Sequence, residues 1–165
     1  MDNNENYLQI MIDSLNKKEK LLDEIIERNR AQYELIKDKQ YEDVDWTAFN
    51  LRVTEKDIAI DKIIEIDDGF DETYKLVKDE VTANKDKYKD QIIKLQEIIG
   101  RLTDKGVTIQ TGEERNRQII DNIFSKTRQE IKKQRTGLNV ANAYYKTMSN
   151  SVVRSAENSI LDEKK

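Results

Sequence analysis

The sequence predicts an all-α protein: an elongated antiparallel helical bundle or coiled coil of three to four long helices. Three observations predict it. The 165 residues include no proline and only five glycines, so the turn residues that a sheet protein needs are scarce. Charged residues make up 38% of the chain and the mean hydropathy is -0.86, as in helices with a narrow apolar stripe. Apolar residues also recur in alternating steps of four and three, which gathers them on one helical face and argues against disorder. A single domain over 1–165 is the expectation at this length. Its core should be thin, with marginal stability or stabilisation by a partner.

The first helix is predicted over about 5–38. Its seam is Leu8, Met11, Leu15, Lys18, Leu22, Ile25, Asn29, Gln32 and Ile36. Tyr7, Ile12, Leu21, Ile26, Tyr33 and Leu35 widen that face enough to meet more than one neighbour. Asn29 and Gln32 are polar seam positions, which lower stability and fix register. Residues 39–43 read as a connection, with Asp43 or Asp45 capping the next helix.

The second helix is predicted over about 44–104. Its seam runs Trp46, Phe49, Val53, Lys56, Ile60, Ile63, Asp67, Phe70, Tyr74, Val77, Val81, Asn84, Tyr88, Gln91, Leu95, Ile98, Leu102 without a change of phase. Gly69 is the weak point, because a helical glycine costs about 1 kcal/mol relative to alanine. The unbroken phase favours a helix that continues there with a bend; a break at Gly69 is the alternative.

A break is predicted over 103–111. Gly106 suits a helix end. Val107, Thr108 and Ile109 are β-branched in succession, which disfavours helix. Thr111-Gly112-Glu113-Glu114 matches a capping box. The last helix then covers about 111–150, with a frayed tail over 151–165. Short connections make neighbouring helices antiparallel. The seam of the last helix is Ile120, Phe124, Thr127, Ile131, Gln134, Leu138, Ala141, Tyr145, Met148, Val152, and Tyr144 extends a second, weaker stripe through Ile119, Ile123 and Val140. Gly137, inside this helix, marks a close crossing or a local melting point.

Charge is unevenly spread. Residues 1–100 carry a net charge of -9 and residues 101–154 a net charge of +6, so the last helix is suited to fold back on the acidic ones. The basic run Lys126, Arg128, Lys132, Lys133, Arg135 is the pattern that tracks phosphates. The chain as a whole is acidic, with a pI of about 5.1, and no nucleic-acid motif accompanies the run, so no nucleic-acid partner is expected.

The absence of cysteine and histidine removes thiolate chemistry, disulfides, the usual zinc sets and the common neutral-pH proton carrier. The carboxylates Asp67, Asp68, Asp71 and Glu72 lack the spacing of a calcium loop and read as a solvated face. Gly100, Gly106 and Gly112 recur every six residues without a phosphate-loop lysine, and Ser125, Ser149 and Ser151 have no base beside them. The expectation is therefore a non-enzyme with no catalytic residue, no cofactor and no metal. The start, residues 1–7, has no signal-peptide pattern, and no stretch reaches the roughly 20 apolar residues of a membrane span. Cytoplasmic location without membrane insertion is expected.

Several strings resemble the FlgN family of flagellar type III export chaperones. "VTIQTGEERNRQIIDNIFSKTRQEIKKQRTGLNVANAYYKTM" is similar to the family's C-terminal region, where an Ile-Gln stretch and an Arg-Asn pair precede a basic helix ending in Ala-Tyr positions. "IDDGFDETYKLVKDE" and "TEKDIAIDKI" are similar to its middle region. The resemblance implies an all-α, coiled-coil-like chaperone of the bacterial cytoplasm. Such proteins bind the hook-filament junction proteins, prevent their premature assembly and escort them to the export gate. The client region maps onto 119–148, so the implied client-facing residues are Ile120, Phe124, Ile131, Leu138, Ala141, Tyr145 and Met148, with Tyr144 available to client or gate. A structural coiled coil pairing with itself, for instance as a homodimer, is the competing expectation.

Overall fold

The computed structural model describes residues 2–147, except for the side chains of Tyr145 and Thr147. Among the described residues the chain is all-helical, with three long helices: α1 (Asn3–Ile36), α2 (Trp46–Ala83) and α3 (Lys89–Thr147). A single 3-10 turn, Tyr41–Asp43, lies between α1 and α2. The described residues divide into two compact units, one of residues 2–39 and 43–119, the other of 40–42 and 120–147.

The first two helices start on aspartate caps. The Asp2 carboxylate accepts from the Glu5 amide N–H at 2.7 Å, and Asp45 accepts from that of Ala48 at 3.0 Å. Each satisfies one of the free N–H groups of a first turn. α1 ends just before Asp38, whose φ of 54° lies in the left-handed region that Asp tolerates better than bulkier residues.

The other boundaries differ from the predicted ones. The helix expected over 44–104 continues through Gly69 but stops at Ala83, and a turn separates it from α3. Asn84 ends it: its backbone N–H and its side-chain amide both donate to the Glu80 carbonyl, at 3.0 and 3.1 Å. Side-chain bonding of this kind competes with helix continuation. The apolar phase hides the turn, because Val81 and Tyr88 pack on one core from either side of it.

Conversely, the break predicted over 103–111 is absent, and α3 runs straight through it. No glycine has positive φ, so Gly106 does not end a helix. Thr103, Thr108 and Thr111 donate their hydroxyls to the carbonyls of Ile99, Asp104 and Val107, which satisfies them within the helix. Thr111 is therefore no cap, and Glu114 pairs with Arg117. Among the described residues nothing lies within 4 Å of where a Cβ of Gly137 would be, so it marks no close crossing there.

In the first unit, α2 runs antiparallel to α1. Lys18 pairs with Asp67, Arg28 with Glu55, and Gln32 reaches the Phe49 carbonyl. α3 returns parallel to α1: Gln91 donates to the Glu5 carbonyl, Arg101 pairs with Glu19 and Lys105 with Glu19 and Asp23. Only consecutive helices are thus antiparallel. The apolar core gathers Leu8, Met11, Ile12 and Leu15 of α1, Val77 of α2, and Tyr88, Leu95 and Ile98. Burying each large aliphatic side chain contributes about 1.5–3 kcal/mol.

Charge closes one end of this core. Lys87 pairs with Asp2 at 2.9 Å, and the Tyr88 hydroxyl donates to the same carboxylate at 3.2 Å. The Lys87 ammonium, then the Glu5 amide, hold the Asp2 carboxyl at about 2. Asp2 in turn raises Lys87, and burial raises Tyr88. Arg101, followed by Lys105, holds Glu19 below the usual carboxylate range.

Further along, the core becomes polar. Asn29, Gln32, Lys56 and Asn116 are all buried. The Lys56 ammonium donates to Asn29 Oδ1 at 2.9 Å and to Glu113 Oε1 at 2.7 Å, while Asn116 Nδ2 donates to the Asn29 carbonyl at 2.9 Å. One polar layer thus links all three helices through Asn29, Lys56, Glu113 and Asn116.

Candidate functional site

The candidate client-facing seam lies on the second unit. Its steps of four and three place Ile120, Phe124, Ile131, Leu138 and Ala141 on one face of α3, over about 30 Å of helix at 1.5 Å per residue. Ile120 and Ile131 are half-buried; Phe124, Leu138, Ala141 and Tyr144 are exposed, Tyr144 by 63%. The backbone of Tyr145 belongs to α3, but its side chain lies outside the described residues, as does all of Met148. The most buried apolar side chain described in this segment is Ile123, on the second stripe. The sequence reading gave that position less weight than the seam. Phe124 meets the ring of Tyr41, with centroids 5.7 Å apart and planes tilted by 50°. Tyr41 comes from the 3-10 turn, and its remoteness in sequence hid this contact.

Positive charge lines one edge of the seam. Arg128 and Arg135 flank it, while Lys132 and Lys133 lie on the far face and with Gln129 and Thr136 line a groove of about 320 Å³. Among the described residues none of Lys126, Arg128, Lys132, Lys133 or Arg135 has a carboxylate within salt-bridge distance. The fold-back of charge expected for the last helix is therefore made by Arg101 and Lys105, not by this run. Arg135 Nε and Asn142 Nδ2 are buried without a hydrogen-bond partner among the described residues.

A second apolar surface was read from the sequence as core. On α2 the predicted seam positions Val53 and Ile60 are exposed, as is Ile64 beside that seam, whereas Phe49, Lys56, Ala59 and Val77 carry the buried face. A helix of 3.6 residues per turn drifts against a 3.5-residue repeat, so one side of the 4-3 track leaves the core. Asp57, Asp61 and Asp68 run beside these residues, all exposed.

Among the described residues no group of three or more acidic side chains is arranged to hold a metal ion, and Asp67 is engaged by Lys18. No described helix is long and apolar enough to cross a membrane. No family model, curated protein or solved structure matches this chain.

Proposed function

We propose that this protein is a cytoplasmic export chaperone of the FlgN type. It holds the amphipathic C-terminal segments of hook-filament junction proteins, prevents their premature assembly and delivers them to the flagellar export gate. The observation that supports this reading is the described part of the seam: Phe124, Leu138, Ala141 and Tyr144 are exposed along a helix whose nearby cations have no carboxylate partners among the described residues. A client helix with an apolar stripe and acidic flanks would find both terms there, in coiled-coil-type pairing. Covering such a stripe lowers the free energy of the unassembled client and competes with its polymerisation. The mechanism needs no catalysis, cofactor or metal.

The test is calorimetry of the full chain with the C-terminal segments of the junction proteins encoded in the same genome. Binding with a negative heat-capacity change, lost in Leu138→Asp/Tyr145→Asp while helicity is retained, supports the reading. Absence of binding by the folded parent refutes it.

One observation favours a second reading, self-association. The exposed α2 stripe of Val53, Ile60 and Ile64 is edged by aspartates, and residues 120–147 are basic, so two copies carry complementary surfaces. Sedimentation equilibrium decides it: a salt-sensitive dimer abolished by Ile60→Asp supports self-association, and a monomer at all concentrations refutes it.

A further inference from the structure

The first unit contains six arginines, and four of them have carboxylate partners: Arg28 and Arg52 with Glu55, Arg101 with Glu19, and Arg117 with Glu114. The remaining two, Arg30 of α1 and Arg115 of α3, line the same groove. It has a volume of about 270 Å³ and is walled by Ile26, Asn29, Val107, Thr108, Thr111 and Gly112. Nearby carboxylates are engaged elsewhere, Glu34 by Lys37 and Glu114 by Arg117, and Glu27 is exposed with its closest cation, Arg28, 4.0 Å away. Two like charges thus share one recess with no counter-ion among the described residues.

We propose that this groove between α1 and α3 is an oxyanion-binding site, shaped for a carboxylate borne beside an apolar group. Arginine's planar fork matches carboxylate and phosphate oxygens, and an anion between two guanidiniums turns their repulsion into attraction. Arg115 is held in place, with its guanidinium 4.0 Å from the Tyr33 ring centroid. Asn29 Nδ2 adds a weakly used donor, since its contact with the Ile109 carbonyl is 3.5 Å long. The threonines contribute shape only, because their hydroxyls donate to Asp104 and Val107 carbonyls. Gly112 forms part of the floor, where a Cβ would make ordinary contact with Asn29 Nδ2 at 3.4 Å. Ile26 and Val107 supply the apolar wall that a bare ion does not use.

The test follows the Arg Nε–Hε resonances of the full chain at constant ionic strength, titrated with N-acetylleucine and, separately, inorganic phosphate. Saturating shifts at Arg30 and Arg115 with N-acetylleucine are expected. Arg30→Gln/Arg115→Gln should weaken binding about tenfold or more, as loss of charge-assisted hydrogen bonds does. Lys78→Gln/Lys94→Gln removes the same net charge from exposed positions and should leave binding unchanged. Arginine-dependent saturation by phosphate alone keeps the oxyanion site and assigns its ligand to phosphates. Unsaturable shifts with both anions, or equal losses in the two double variants, overturn the proposal.

Discussion

Replacing Lys56 by methionine tests the polar layer most directly. The substitution keeps an unbranched stem in the same space but removes the ammonium. Glu113 is half-exposed, so it regains water and loses little. Asn29 Oδ1 is different: Asn29 is only 3% exposed, and Lys56 is the donor that satisfies this oxygen. Leaving a buried acceptor unsatisfied costs about 1–3 kcal/mol, partly offset because a dehydrated ammonium is no longer buried. The expected net loss is about 1–2 kcal/mol. Lys56→Ala also removes three packed methylenes, adding about 2 kcal/mol at about 0.8 kcal/mol each. Asn29→Ala should cost less in the Lys56→Met background than in the parent, with a coupling energy of about 1 kcal/mol. Urea unfolding read by the fluorescence of Trp46, the single tryptophan, gives each value for the unit that holds the layer. A Lys56→Met protein as stable as the parent, with Asn29→Ala strictly additive, would refute the reasoning.

Three further perturbations have definite signs. Gly106→Ala should raise stability by about 0.5–1 kcal/mol in thermal unfolding, because the glycine is helical with open space at its Cβ; a loss would mean that the helix ends there. Asp2 titrates at about 2 in the folded protein against an ordinary 3.8, and Glu19 is also lowered, so both stabilise the fold above the ordinary carboxylate pKa. That stabilisation fades as pH falls from about 4 toward 2. Asp2→Asn keeps the helix cap and removes the charge, so an acid-unfolding profile that it leaves unchanged would contradict the Lys87 clamp. Leu138→Asp should shift stability by less than about 0.5 kcal/mol at its exposed position, whereas Val77→Asp, fully buried, should cost more than about 4 kcal/mol; circular dichroism melts compare them.

Much of this fold was legible in the sequence, and the failures have two causes. Helical periodicity reports which side chains share a face, not where the chain reverses. The pattern therefore carried Val81 and Tyr88 across the turn as though one helix continued, while Asn84, whose side chain closes that turn, counted as one more polar seam position. The opposite error arose at 103–111, where local preferences of Gly106, Val107 and Thr108 pointed to a break. Tertiary packing and i−4 hydroxyl bonds outweigh those small terms. In the last helix, spacing places the apolar seam residues on one side, but the depth of Ile123 and the Tyr41–Phe124 contact depend on three-dimensional neighbours. The pairing of Arg30 with Arg115 across one groove was equally invisible, since 85 positions separate them.

The parallel return of α3 along α1 has a consequence for the order of assembly. Hydrogen bonds between α1 and α2 link residues 17 to 49 positions apart, whereas those between α1 and α3 span 80 to 87. Closing a longer loop forfeits more chain entropy before any contact repays it. The α1–α2 hairpin should therefore form ahead of the α1–α3 seam. Arg101, Lys105 and Asn116 become late reporters of folding: substitutions there should quicken unfolding and leave the refolding rate nearly unchanged.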